Sequence, residues 1–246
     1  MKLPPPCEAC GEGAPPGRVG AFTLLELLVV IALTAGLALV VLGGLRGGGR
    51  AVALHTAQAT MANLITAART KAPATNRKTR LLVNADPGQP ERYLRQVVLQ
   101  LSRQPAPGPA DWESVQIVTL PPETYVVPPA LDELVADRGE WKRSSSPADD
   151  LASDLFANQS IAYALDGDAS PQNWLGVAFT PNHTLTALAG GPPPKGFIVI
   201  ARGRPRPSGT YPEGHPPVEL LDPAAVRGLV LSAYGVPALI DDRTAF

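Results

Sequence analysis

Beyond residue 10 the chain has no cysteine: Cys7 and Cys10 are the only two, so the rest of the molecule has no thiol for a disulfide or a nucleophile. A lone Cys-x-x-Cys pair is half of a tetrahedral zinc site, and the nearest histidine along the chain is His55. Aromatic residues make up only 5%, so a core must be built from Leu, Val, Ile and Ala, with Phe156, Phe179 and Phe197 as its large rings. Neither sign of charge is in excess, with 21 Lys+Arg against 22 Asp+Glu and a formal net charge of −1. That balance excludes a globally basic nucleic-acid binder. What the chain has in quantity is turn chemistry, since 28 prolines and 23 glycines fill about a fifth of its 246 residues.

Catalytic patterns are missing too. His55, His183 and His215 are scattered, and no Gly-x-Ser-x-Gly, His-Glu-x-x-His or glycine-rich phosphate loop accompanies them. The chain reads as a non-enzyme with no cofactor and no metal site. Asp166-Gly167-Asp168 offers two carboxylates but lacks the remaining ligand spacing of a calcium loop, and is read as a solvated turn. Asn158-Gln159-Ser160 and Asn182-His183-Thr184 fit a glycosylation tripeptide that recurs by chance.

The strongest positive signal is the run Phe22 to Leu45, in which Glu26 is the only charge. As a helix it would rise roughly 36 Å, enough for a bilayer core of about 30 Å, so residues 22–45 are predicted to be a transmembrane helix. A secretory signal would have a shorter apolar region and a small-x-small site beyond it. An acid within such a helix costs about 2.5–3.5 kcal/mol on insertion scales, and the run holds no Lys, Arg or His to compensate it. A cut just before Phe22 would create an amine one helical turn upstream of Glu26.

The stretch Gly20-Ala21-Phe22-Thr23-Leu24-Leu25-Glu26-Leu27 resembles the class III prepilin signal of type IV pilins and type II secretion pseudopilins. The resemblance implies cleavage between Ala21 and Phe22, N-methylation of Phe22, and pairing of Glu26 with a neighbouring subunit's terminal amine during assembly. Ala21 stands where the family has Gly, so a cut between Gly20 and Ala21 is the alternative; the intact Phe-to-Glu spacing favours the first. Residues 1–21 are then a leader peptide. Implied partners are a prepilin peptidase/methyltransferase, other pilin or pseudopilin subunits, an inner-membrane assembly platform and membrane lipid. Lys2 and Arg18 balance Glu8 and Glu12, and Arg46 and Arg50 follow the run, so charge alone does not orient the segment. The resemblance implies a single pass of the inner membrane, with the head extracytoplasmic and assembled into a filament.

Residues 46–72 read as a glycine-rich hinge followed by an amphipathic helix. Five glycines fall in Gly43–Arg50, each costing about 1 kcal/mol in a helix, and then Leu54, Ala57, Met61, Leu64, Ile65 and Ala68 form one apolar stripe, with Pro73 as its stop. From Thr79 onward short β-branched runs separated by Pro and Gly predict antiparallel strands near residues 80–84, 93–101, 115–120, 124–127, 161–165, 175–180, 197–201 and 229–234. Residues 73–246 thus form the expected β head, with a polar surface insertion at about 129–158. The expected fold class is α+β and pilin-like: a long N-terminal transmembrane and amphipathic helix packed on an antiparallel sheet containing Leu81, Val83, Val98 and Val177. The runs Leu64–Arg69, Arg80–Asn84, Val177–Asn182 and Val230–Val236 are similar to the H-type minor pseudopilins.

The expected function is that of a structural subunit, cleaved and methylated, of a type II secretion pseudopilus or type IV pilus. Three alternatives differ in class, and one of them, a secreted enzyme, would need a convergent polar pocket in the head for which the sequence offers no residues; two stay open. In one, Arg202, Arg204 and Arg206 form a basic loop that contacts DNA, as in a minor pilin of DNA uptake. In the other, the chain is an uncleaved, single-pass membrane protein.

Overall fold

The computed structural model describes residues 23–104, 111–135, 138–143, 150–188, 193–207, 209–212 and 215–246, side chains excepted at 39–48 and 50. Gly20, Ala21, Phe22 and the cysteines therefore lie outside the described residues. The chain divides into two units between Gly47 and Gly48, within the glycine-rich stretch.

The expected fold class is corrected on two counts. First, the architecture is dominated by two antiparallel sheets where one was expected. Strands β1 (Thr79–Asn84), β2 (Gln96–Ser102), β3 (Trp112–Thr119), β5 (Ser160–Tyr163), β6 (Gln172–Phe179) and β7 (Leu185–Thr186) form a six-stranded sheet ordered β3-β2-β1-β6-β5, with β7 also paired to β6. Strands β4 (Thr124–Val126), β8 (Phe197–Pro205), β9 (Val218–Leu231) and β10 (Pro237–Ile240) form a second sheet ordered β10-β9-β8-β4. Second, among the described residues no helix is long and apolar enough to cross a membrane.

Helical backbone, α1, extends over Leu24–Thr75 and includes Gly43–Arg50, where a break was expected. Pro73 does not end it either. A proline removes the amide that would bond the Arg69 carbonyl one turn back, and the helix nevertheless runs on two residues past it. The end comes at Thr75, where Asn76 takes a left-handed φ of 53°. The Asn76 amide donates to the Pro73 carbonyl and the Arg77 amide to that of Ala72, the paired closure of a Schellman motif.

Within the second unit, Leu54, Ala57, Met61, Leu64, Ile65, Ala68 and Ala72 are buried in one cluster with Leu81, Val83, Val97, Leu99 and Val177 from the six-stranded sheet. Ile198, Val199, Ile200, Val226 and Leu229 from the four-stranded sheet join the same cluster. Polar contacts tie the helical residues down: Gln58 Nε2 donates to the carbonyls of Gly228 and Ile240, and the Thr79 hydroxyl donates to the carbonyl of Ala68. Val98, expected beneath the stripe, lies on the other side of the sheet with Leu82, Leu165 and Trp174. Alternation explains it, because neighbours in a strand point to opposite faces.

The region 129–158 also departs from the expected polar insertion. Leu131, Leu134, Trp141, Leu151, Leu155 and Phe156 are all buried in the main cluster, and the described residues of the region include two short 3-10 turns, Arg138–Trp141 and Asp154–Phe156. These six are too irregularly spaced to register as helix or strand, yet all of them reach the core. A tight turn between β9 and β10 completes the head. Gly235 there has φ 67°, and an added Cβ would lie 2.3 Å from the Phe179 ring, so only glycine fits without displacement.

Candidate functional site

The motif-bearing segment begins where Thr23 starts the helix. Its carbonyl accepts from the amides of Glu26 and Leu27, and its hydroxyl accepts from the Glu26 amide at 3.3 Å. This is the side-chain cap that an unpaired first turn requires. Thr23 and Glu26 stand three residues apart, the Thr-x-x-Glu spacing of a helix start. The sequence reading missed this cap, although the spacing carries it. Glu26 is exposed in the first turn, where an acid is favourable to the helix dipole. Around it Leu24, Leu25, Leu27, Leu28, Ile31, Leu33 and Leu37 are all exposed, between 56% at Leu27 and 83% at Leu24. So many large apolar side chains in sequence, on every side of a helix, form a surface that water does not suit.

The three arginines of the expected DNA contact sit differently from a free loop. Arg202 and Arg204 belong to strand β8, and Arg206 follows its end. Arg202 pairs with Glu123 at 3.4 Å, and Arg204 places both Nε and Nη2 on one Glu219 oxygen, at 2.9 and 2.8 Å. Arg206 Nη2 donates to the Glu133 carbonyl at 3.2 Å. Arg204 and Arg206 line an open cleft of about 510 Å³ together with Thr210 and Glu219. Strand alternation brings the guanidinium groups together, but the fold supplies each with an oxygen partner, and Glu219 is in the cleft itself.

The remaining sequence candidates stay apart. Asp168 pairs with Arg92 at 3.3 Å, and its amide closes a turn onto the Leu165 carbonyl through Gly167 at φ 97°. His55 is exposed on α1, His183 has a left-handed φ of 60° in a turn, and His215 lies 3.6 Å from Glu133. Among the described residues no three His, Cys, Asp or Glu side chains converge as a metal-binding group.

One buried charge escaped the sequence reading. Arg80, 6% exposed on β1, lies between the Trp112 ring at 4.1 Å and the Tyr163 ring at 4.3 Å, and its Nε donates to Gln100 Oε1 at 2.7 Å. Burial pulls its pKa down to about 10, against a partial rise from Tyr163. Its place on a strand otherwise rich in Leu and Val gives no sign of those partners, which arrive from β3 and β5. No protein-family model matches this chain, and no curated protein or solved structure is significantly similar to it.

Proposed function

We propose that this chain is a prepilin-type structural subunit, cleaved between Ala21 and Phe22, methylated at Phe22, and assembled with other pilin or pseudopilin subunits into a secretion pseudopilus or type IV pilus. The observation that carries the reading is the exposed apolar helical stretch Leu24–Leu37 bearing one carboxylate, Glu26, immediately behind the motif Gly20–Thr23. Such a surface needs apolar cover. Lipid of the inner membrane supplies it before assembly and neighbouring subunits supply it afterwards, while Glu26 receives the amine of an incoming subunit. The head, residues 73–246, is then the extracytoplasmic part, and the peptidase/methyltransferase and an inner-membrane assembly platform are the partners. A DNA-contacting role draws less support, because Arg202, Arg204 and Arg206 are already engaged by protein oxygens.

Co-expression with a prepilin peptidase tests the proposal directly. Intact-mass measurement is expected to find a chain that begins at methylated Phe22. A cut between Gly20 and Ala21 keeps the class but moves Glu26 to the sixth position. An intact chain in the membrane fraction would overturn the proposal in favour of an uncleaved membrane-bound protein.

A further inference from the structure

A second cleft of the head, about 300 Å³, is walled by Pro87, Pro128 and Pro216, with Asp132, Glu133 and Tyr93 also lining it. The acids sit in a turn that the backbone holds in place. The Leu134 amide donates to the Leu131 carbonyl, the Leu220 amide of β9 donates to the Leu134 carbonyl, and Arg206 donates to the Glu133 carbonyl. Asp132 is paired with Arg138. The Glu133 carboxylate is more than half exposed, and its recorded partner is His215 Nδ1 at 3.6 Å, on a ring that is charged only when protonated. Tyr93 supplies the second observation: it is 7% exposed with its ring in the main cluster, yet among the described residues its hydroxyl takes part in no hydrogen bond. A polar group buried in that state is costly, and a ligand reaching it from the cleft removes the cost.

We propose that this cleft receives one lysine or arginine side chain from an extended segment of a partner protein. The lining selects that chemistry. Two carboxylates repel an anion, so the Tyr93 hydroxyl is left to meet a donor. An ammonium or guanidinium group satisfies both sides at once, donating to the Glu133 carboxylate and to the Tyr93 oxygen. The proline rings offer a stiff apolar wall for the alkyl stem, which long basic side chains bury while their charged end keeps polar company. A cleft of about 300 Å³ lies at the small end of ligand sites. It has room for a side chain and not for a folded element, so the partner's backbone runs across its mouth. The proposal uses only the head and does not depend on the filament reading.

Peptide-observed NMR with the full chain in deuterated non-ionic detergent tests it. The probe is an acetylated, amidated Ala-Pro-Arg-Pro-Ala peptide, whose prolines hold the backbone extended. This peptide and its lysine counterpart are expected to bind saturably. Replacing arginine by citrulline, its uncharged isostere, should weaken binding about tenfold. Glu133→Gln should remove that preference, so that the arginine and citrulline peptides bind alike. Tyr93→Phe should weaken the arginine peptide about three- to tenfold, the loss of one hydrogen bond. Glu113→Gln, at an exposed acid of β3, should leave binding unchanged. Circular dichroism and thermal unfolding at neutral pH check that each variant is folded. Equal binding of arginine and citrulline by the unaltered chain, an equal loss from Glu113→Gln and Glu133→Gln, or no saturable binding of either basic peptide would overturn the proposal.

Discussion

Tyr93 has its ring in the core, where burial first and the Glu133 carboxylate second push its hydroxyl up to about 12. The neutral phenol is thus held in the folded chain while the unfolded chain ionises near its ordinary value of about 10. The stability this represents is fully present below pH 10 and is lost as pH rises from about 10 to 12. Two units correspond to about 2–3 kcal/mol. Tyr93→Phe should therefore narrow the alkaline loss by an amount of that order, with little change in its shape below pH 10, as denaturant titrations at a series of pH values will show. Arg80 works in the opposite sense: its lowered pKa means that its charge is held at a cost that the stacked rings and Gln100 offset.

At the scale of elements, the apolar stripe on α1 was readable because a helix repeats every 3.6 residues and core residues recur with it. Leu64 is buried in the main cluster, so Leu64→Ala should destabilise the head by about 2–5 kcal/mol, measured by thermal or denaturant unfolding. Strands were legible where β-branched residues run together, as at Arg80–Asn84 and Phe197–Ala201, which fall in β1 and β8. They were less legible where partners make the strand. β9 runs from Val218 through Asp222-Pro223 to Leu231, and its pairing with β8 shifts register between Ala201 and Arg202, so its first half carries turn residues that would ordinarily argue against a strand. Pro73 was misleading in the other direction, because the closure through Asn76 and Arg77 lies beyond it.

For the whole molecule, Glu26 joins the proposed processing to the proposed assembly. Glu26→Gln keeps side-chain shape and hydrogen-bonding capacity but removes the charge. Head stability and membrane abundance should stay at wild-type levels while incorporation into filaments, read by crosslinking to partner subunits in the native host, falls about tenfold. Unchanged incorporation would assign Glu26 no role beyond favouring the first turn of its helix.

Several properties were determined by the sequence alone: the absence of disulfides beyond residue 10, the near-zero net charge, the motif from Gly20 to Leu27, and the periodic stripe from Leu54 to Ala68. Each is local, and a local pattern needs no knowledge of what it will meet. Tertiary structure decided the rest. It divided the strands between two sheets, put Val98 on the opposite face from Val97, and drew Trp141 and Phe156 from an apparently polar stretch into the core. It also gave Arg202, Arg204 and Arg206 their oxygen partners from Glu123, Glu219 and Glu133. These outcomes depend on pairing between residues far apart in the chain, and strand propensity specifies that a segment will pair without specifying with which.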